Sequence, residues 1–123
     1  MIATGSPTTT ARKTEVVDVE SGETCADLAD FPVEIYAAVG ANLDGTPIVC
    51  GGGYSPLLTF GTVGTSFQTC YKFTNAGWQE FASMNKKRDR ASGIMYKNKF
   101  HVFGGHDGQS KLQTSEIIST DGG

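Results

Sequence analysis

The chain has 123 residues, 38% of them apolar, with 16 glycines and a net charge of −3. That length suits about one small domain, and the mildly acidic balance gives no global signature of a nucleic-acid binder. No apolar run approaches the roughly 18–20 residues of a membrane span, and the N-terminal MIATGSPTTTARK lacks the apolar core of a secretory signal.

Abundant glycine among Val, Ile, Thr, Tyr and Phe predicts short strands and turns. In chain order the first candidates are Ile2–Gly5 and Thr14–Asp18. Cys25–Asp30 permits at most one helical turn, bounded by Pro32. Thr46–Gly52 follows the Asp44-Gly45 turn as an apolar strand closed by Gly51-Gly52. Beyond the long loop Gly53–Gln68 come Cys70–Phe73 and, past Asn75-Ala76-Gly77, Trp78–Phe81. The last candidates are Ala91–Tyr96, a Lys97-Asn98-Lys99 turn, Phe100–Phe103 closed by Gly104-Gly105, and Thr114–Ser119. No window keeps an i, i+3, i+4 apolar stripe over three turns, so the chain reads as all-β.

The segments repeat. TPIVCGG (Thr46–Gly52) aligns with KFHVFGG (Lys99–Gly105), the glycine pairs lying 53 residues apart. The same shift places Gly40 on Gly93, Leu43 on Tyr96 and Asp44-Gly45 on Lys97-Asn98. TEVVD (Thr14–Asp18) resembles SEIIS (Ser115–Ser119) 101 residues later, Glu15 falling on Glu116, and IATG (Ile2–Gly5) is a worn HVFG. A unit of about 50 residues with four short antiparallel strands has the make-up of one propeller blade.

The ordered markers Gly51-Gly52, Tyr71 and Phe73, Trp78, Met84 and Arg88, then Ala91, Gly93 and Gly104-Gly105, resemble the kelch repeat. The resemblance covers nearly the whole chain. It implies kelch-type propeller blades of four antiparallel strands, in a family that mostly serves protein recognition. On that reading residues 1–32 are the second to fourth strands of one blade, 33–82 a full blade, and 83–123 the first to third strands of another. The first unit departs from the pattern: Cys25 stands near the Trp place, and Ile35 and Ala37 stand where the next unit has Arg88 and Arg90. A propeller needs roughly four to eight blades to close. About two and a half are present, so the expectation is an incomplete propeller: a piece of a longer chain, associating there with further blades, a truncated product, or several copies that associate to complete a ring.

Each residue with chemical potential has a structural reading beside its functional one. The glycine pairs open no helix and precede no Lys-Ser/Thr, so they fit neither a phosphate loop nor a dinucleotide fingerprint. Gly51, Gly52, Gly104 and Gly105 read as structural, permitting positive φ or close backbone approach. His101 and His106-Asp107 lack a third ligand at suggestive spacing, so neither a metal nor a cofactor is implied. NKKRDR (Asn85–Arg90) is the dense charge cluster; it suits phosphate or acidic-peptide binding, or simply a solvated loop. In an up-down blade this loop emerges beside HDGQSKL (His106–Leu112) and Gly53–Gln68. The resemblance implies that this face takes the partner and that arginines there take part. The candidate partner-binding set is therefore Lys86, Lys87, Arg88, Arg90, His106, Asp107 and Tyr54. Leu57, Leu58, Phe60 and Phe67 in the long loop could equally dock a partner or fold back over the blade.

By the same blade topology Cys50 ends a second strand and Cys70 begins the third, at bridging range. A Cys50–Cys70 disulfide is the expectation, with Cys25, in a fourth strand, free or paired elsewhere; the alternative is three buried thiols. The cysteine pattern also resembles extracellular kelch-type proteins and leans the localisation outward. Trp78 and Met84 read as core.

The resulting expectation is a non-enzymatic module that binds a protein partner, with no nucleic acid and no membrane span. The alternatives are part of a kelch-like propeller enzyme similar to galactose oxidase, which would need a copper set of Tyr, Cys and His, and a degenerate structural segment without a partner.

Overall fold

The computed structural model of the protein describes residues 2–4, 14–17, 24–27, 30–32, 35–54 and 65–119. These form twelve strands: β1 (Ile2–Thr4), β2 (Thr14–Val17), β3 (Thr24–Asp27), β4 (Val39–Leu43), β5 (Thr46–Cys50), β6 (Gly53–Tyr54), β7 (Thr65–Ser66), β8 (Thr69–Thr74), β9 (Gly77–Ser83), β10 (Ser92–Tyr96), β11 (Lys99–Phe103) and β12 (Ser115–Ile118). All pairings are antiparallel. They assemble a three-stranded sheet β1-β2-β3, a four-stranded sheet β4-β5-β8-β9, a three-stranded sheet β10-β11-β12, and the small hairpin β6-β7. The protein is all-β. The single helical turn allowed at Cys25–Asp30 does not form: residues 24–27 are extended and pair with β2. Gly5, Leu57, Leu58 and Phe60 lie outside the described residues, as does the side chain of Cys25.

Local chemistry accounts for the hairpins. β4 and β5 close through Asp44 and Gly45 at φ 51° and 80°, and β10 and β11 through Lys97 and Asn98 at φ 51° and 61°. Two residues with positive φ give the primed turns whose twist matches paired strands. Asn and Gly take that conformation readily, whereas Lys97 adopts it at a cost. The third hairpin, β8 to β9, is pinned by Thr74, whose Oγ1 accepts from Ala76 N and donates to Gly77 O.

The 53-residue repeat is visible in the backbone. The left-handed residues Ala37, Asp44, Gly45, Gly51 and Gly52 recur as Arg90, Lys97, Asn98, Gly104 and Gly105. The bridge Tyr36↔Gly53 recurs as Asp89↔His106. Side-chain burial follows the period-2 alternation of strands. One face of the four-stranded sheet gives Leu43, Ile48, Cys50 and Cys70 to a shared core with Met84, Phe100, Val102 and Ile118. Its other face carries Tyr71, Val49 and Trp78 against Phe31 and Ile35. Phe31 meets the rings of Tyr71 and Trp78 edge-on, at 4.9 and 5.1 Å between centroids. The outer face of the last sheet is different: Ile94, Tyr96, Phe103 and Ile117 are all exposed there.

Candidate functional site

Three connections converge at one end of the sheets: the segment from β9 to β10, the start of the long loop after β5, and the loop between β11 and β12. The glycine pairs make the convergence possible. Gly51 and Gly105 sit at φ 68° and 87°. A side-chain carbon at Gly51 would collide with the carbonyl of Arg88, and one at Gly105 would lie 2.6 Å from the carbonyl of Asp89. The bared backbone is then stitched to the β9–β10 segment. Gly52 N–H donates to Arg88 O at 2.8 Å, and Arg88 N–H donates to Phe67 O at 2.9 Å. Asp89 and His106 exchange two backbone hydrogen bonds of 2.9 Å. The β9–β10 segment thus meets the β11–β12 loop and the described ends of the loop between β5 and β8.

Cys50 and Cys70 are directly opposed across β5 and β8 and form a disulfide. Both are fully buried between two sheets, so neither sulfur is available as a ligand or nucleophile.

The candidate side chains divide. Arg88 is not at the surface: it is 1% exposed. Its Nε lies 3.1 Å from Glu116 Oε2, Nη1 donates to Gly104 O and Thr114 O, and Nη2 donates to Thr114 Oγ1. Glu116 also accepts the backbone N–H groups of Asn85 and Lys86. Arg88 thus fastens the β9–β10 segment to the last sheet, and it leaves the set of residues able to touch a partner. A buried guanidinium is tolerable only when its charge and donors are satisfied, and the two carbonyls, the threonine and the glutamate do this.

Arg90, by contrast, extends its guanidinium outward, 62% exposed, with Nη2 3.3 Å from Asp89 Oδ2. Lys86 and Lys87 are exposed on the same segment. His106 is half-buried, its Nδ1 accepting Gly108 N–H. Asp107 Oδ1 accepts from Gln109 N and Ser110 N at 2.8 Å each, closing the turn. The hydrogen bonds from Ser110 and then Gln109 hold the Asp107 carboxyl below its ordinary value, against a smaller opposing effect of burial and with a still smaller contribution from the nearby His106. Tyr54 is half-buried in the β6–β7 hairpin. Trp78 is half-buried, with the Phe73 and Phe31 rings edge-on against it. Tyr71, deeper on that face, is pushed up by burial and then by the Glu80 carboxylate beside it.

Sequence reasoning missed Asp89, Tyr36 and Glu116. Asp89 and Tyr36 adjoin Gly53, and Glu116 answers Arg88. The signal for the last was present: Ile35 stands at the Arg88 position one repeat earlier, and an apolar residue there marks an interior position.

No group of three or more His, Cys, Asp or Glu among the described residues is arranged to hold a metal ion. Nor does any helix among them have the length and apolarity to cross a membrane.

No protein-family model matches the chain, and no curated protein is similar to it in sequence. Solved structures do match in fold. The structure of YjhT is similar with a TM-score of 0.74 over 89% of this chain, at 14% sequence identity. The chain spans 36% of the length of YjhT, and at that identity the likeness is one of all-β fold.

Proposed function

We propose that this chain is a stretch of kelch-type propeller blades acting as a non-enzymatic protein-interaction module, with the converged loops as its binding face. The blade reading is supported by the marker residues and by the backbone repeat, in which six left-handed or bridging features recur at a shift of 53. The exposed face of the last sheet supports it too. Ile94, Tyr96 and Phe103 stand one repeat beyond Ala41, Leu43 and Cys50, on the face that the neighbouring sheet covers. A further sheet of the same kind would find matching apolar positions there.

The observation that carries the binding role is the division of the arginines. Arg88 is spent inside, so Arg90, Lys86 and Lys87 stand outward on a segment that is rigidly held from beneath. Rigid scaffolds presenting polar loop residues are the usual form of a recognition surface.

The test is affinity capture by the full chain compared with a Lys86→Ala, Lys87→Ala, Arg90→Ala variant. A partner bound by the parent and released by the variant, at equal thermal stability, supports the loop face. A partner that stays bound equally well to both overturns it. Arg88 is left intact in this design because its loss would unfold the face rather than probe it.

A further inference from the structure

We infer that Asp89 selects what this face accepts, and that its complement is a neutral amide group: a peptide bond or a carboxamide side chain of the partner. This deepens the loop-face reading and rests on it.

The Asp89 side chain is 5% exposed. Oδ2 lies beside the Arg90 guanidinium, but Oδ1 is buried and has no hydrogen-bond partner; it is the one such side-chain atom among the described residues. An ionised oxygen taken out of water without a donor is costly, and native structures rarely leave one so. Nothing in the local backbone requires a carboxylate here. The bridge to His106 is made by main-chain atoms alone, and the equivalent position in the preceding repeat is Tyr36.

The surroundings are built for close approach. Gly53 has no side chain, and the place where its Cβ would stand is 3.1 Å from Asp89 Oδ2 and 3.2 Å from Tyr36 Oη. One repeat later that position is His106. Only at this junction, among the described residues, do a carboxylate and a phenol share the space over a glycine. The side chains adjoining the carboxylate reach solvent: Arg90 is exposed and Tyr36 is half-buried. The Arg90 guanidinium beside Oδ2 is 62% exposed, so the Asp89–Arg90 pair borders solvent on that side.

Charge then decides the chemistry. Asp89 and Arg90 together are neutral, so the pair offers an acceptor beside a donor rather than a cationic patch. A carboxylate ligand is attracted by Arg90 and repelled by Asp89, and an ammonium group meets the reverse. An amide meets both partners correctly, its N–H donating to Oδ1 and its carbonyl accepting from Arg90.

Two synthetic peptides of equal length test this by amide NMR of the full chain. One alternates Gly and Asn, the other Gly and Asp. The Gly-Asn peptide is expected to shift the Gly53, Arg90 and His106 resonances, and the Gly-Asp peptide to leave them in place. Asp89→Leu removes the acceptor and is expected to abolish the Gly-Asn response while raising the unfolding temperature, since an unsatisfied buried charge is gone. Asp89→Asn keeps an acceptor without the charge and is expected to admit both peptides. Retention of the Gly-Asn response by Asp89→Leu overturns the inference. If the Gly-Asp peptide shifts those resonances in the parent as strongly, this inference falls while the loop face stands. If neither peptide shifts them, this inference falls, and the capture experiment above decides the loop face separately.

Discussion

Arg88 and Glu116 meet in the interior at 3.1 Å, in the place where the preceding repeat brings Ile35 against Tyr71. Register makes the two sites equivalent. Val49 opposes Tyr71 as Val102 opposes Glu116, and Ile35 precedes Arg88 by 53 residues. The same backbone therefore carries an apolar contact in one unit and an ion pair in the next. The ion pair does something the apolar contact cannot: Glu116 also accepts the backbone N–H groups of Asn85 and Lys86, fixing the start of the candidate binding segment.

Removing one partner of a buried pair leaves the other charge unpaired, which typically costs about 3–5 kcal/mol. Arg88→Met should therefore destabilise the chain by about that amount in urea unfolding, whereas Lys87→Ala, on the exposed side of the same segment, should change stability by no more than about 0.5 kcal/mol. Equal small effects from both substitutions would mean that Arg88 is not the fastening residue.

The disulfide gives a second prediction. Cys50 and Cys70 are 20 residues apart, and cross-linking a loop of that size restricts the unfolded chain by about 3 kcal/mol. Replacing both with Ala should lower stability by roughly that amount, with some further loss from the core they share with Ile48 and Phe100. Alkylation of the denatured, non-reduced chain should leave Cys50 and Cys70 unmodified. Modification of either would show them to be thiols.

Much of this fold could be read along the chain because its determinants are local. Strands alternate with period two, and the turns need residues that accept positive φ. The expected Ala91–Tyr96 and Phe100–Phe103 strands appear as Ser92–Tyr96 and Lys99–Phe103, and the β9–β10 segment pairs with the β11–β12 loop at Asp89 and His106. Arg88 was legible only in part. A lone arginine in a charged run reads as solvated, since arginine is seldom fully buried. What turns it inward is Glu116, 28 residues away on β12. Asp89 was less legible still. Its surroundings are made by Gly53 and Tyr36, brought near by the repeated bridges between loops, and no local pattern encodes that meeting.

Phe100 and Phe103 lie on opposite faces of β11, fully buried and 46% exposed respectively. Phe100→Ala should cost about 3–5 kcal/mol, the usual effect of emptying an aromatic core site. Phe103→Ser should cost about 1 kcal/mol or less. It should also reduce binding of an apolar dye, because it interrupts the exposed Ile94, Tyr96 and Ile117 surface. A Phe103→Ser variant as unstable as Phe100→Ala would show that the outer face is covered in solution.

The turn after His106 should respond to acid later than an ordinary aspartate would. Asp107 is held below 3.8 by the Ser110 and then the Gln109 backbone hydrogen bonds, with the nearby His106 adding to them. As pH falls, the unfolded chain takes up the proton first and the folded turn resists it. The turn's contribution is therefore intact above the ordinary carboxylate value and is lost as pH falls through the lower folded value. The Gln109 and Ser110 amide resonances should move together, with a midpoint below 3.8. Asp107→Asn should abolish that titration without changing the strands on either side, since the hydrogen bonds of the carboxylate stay within the turn. A midpoint at or above the ordinary value would mean that the carboxylate does not hold these two donors in solution.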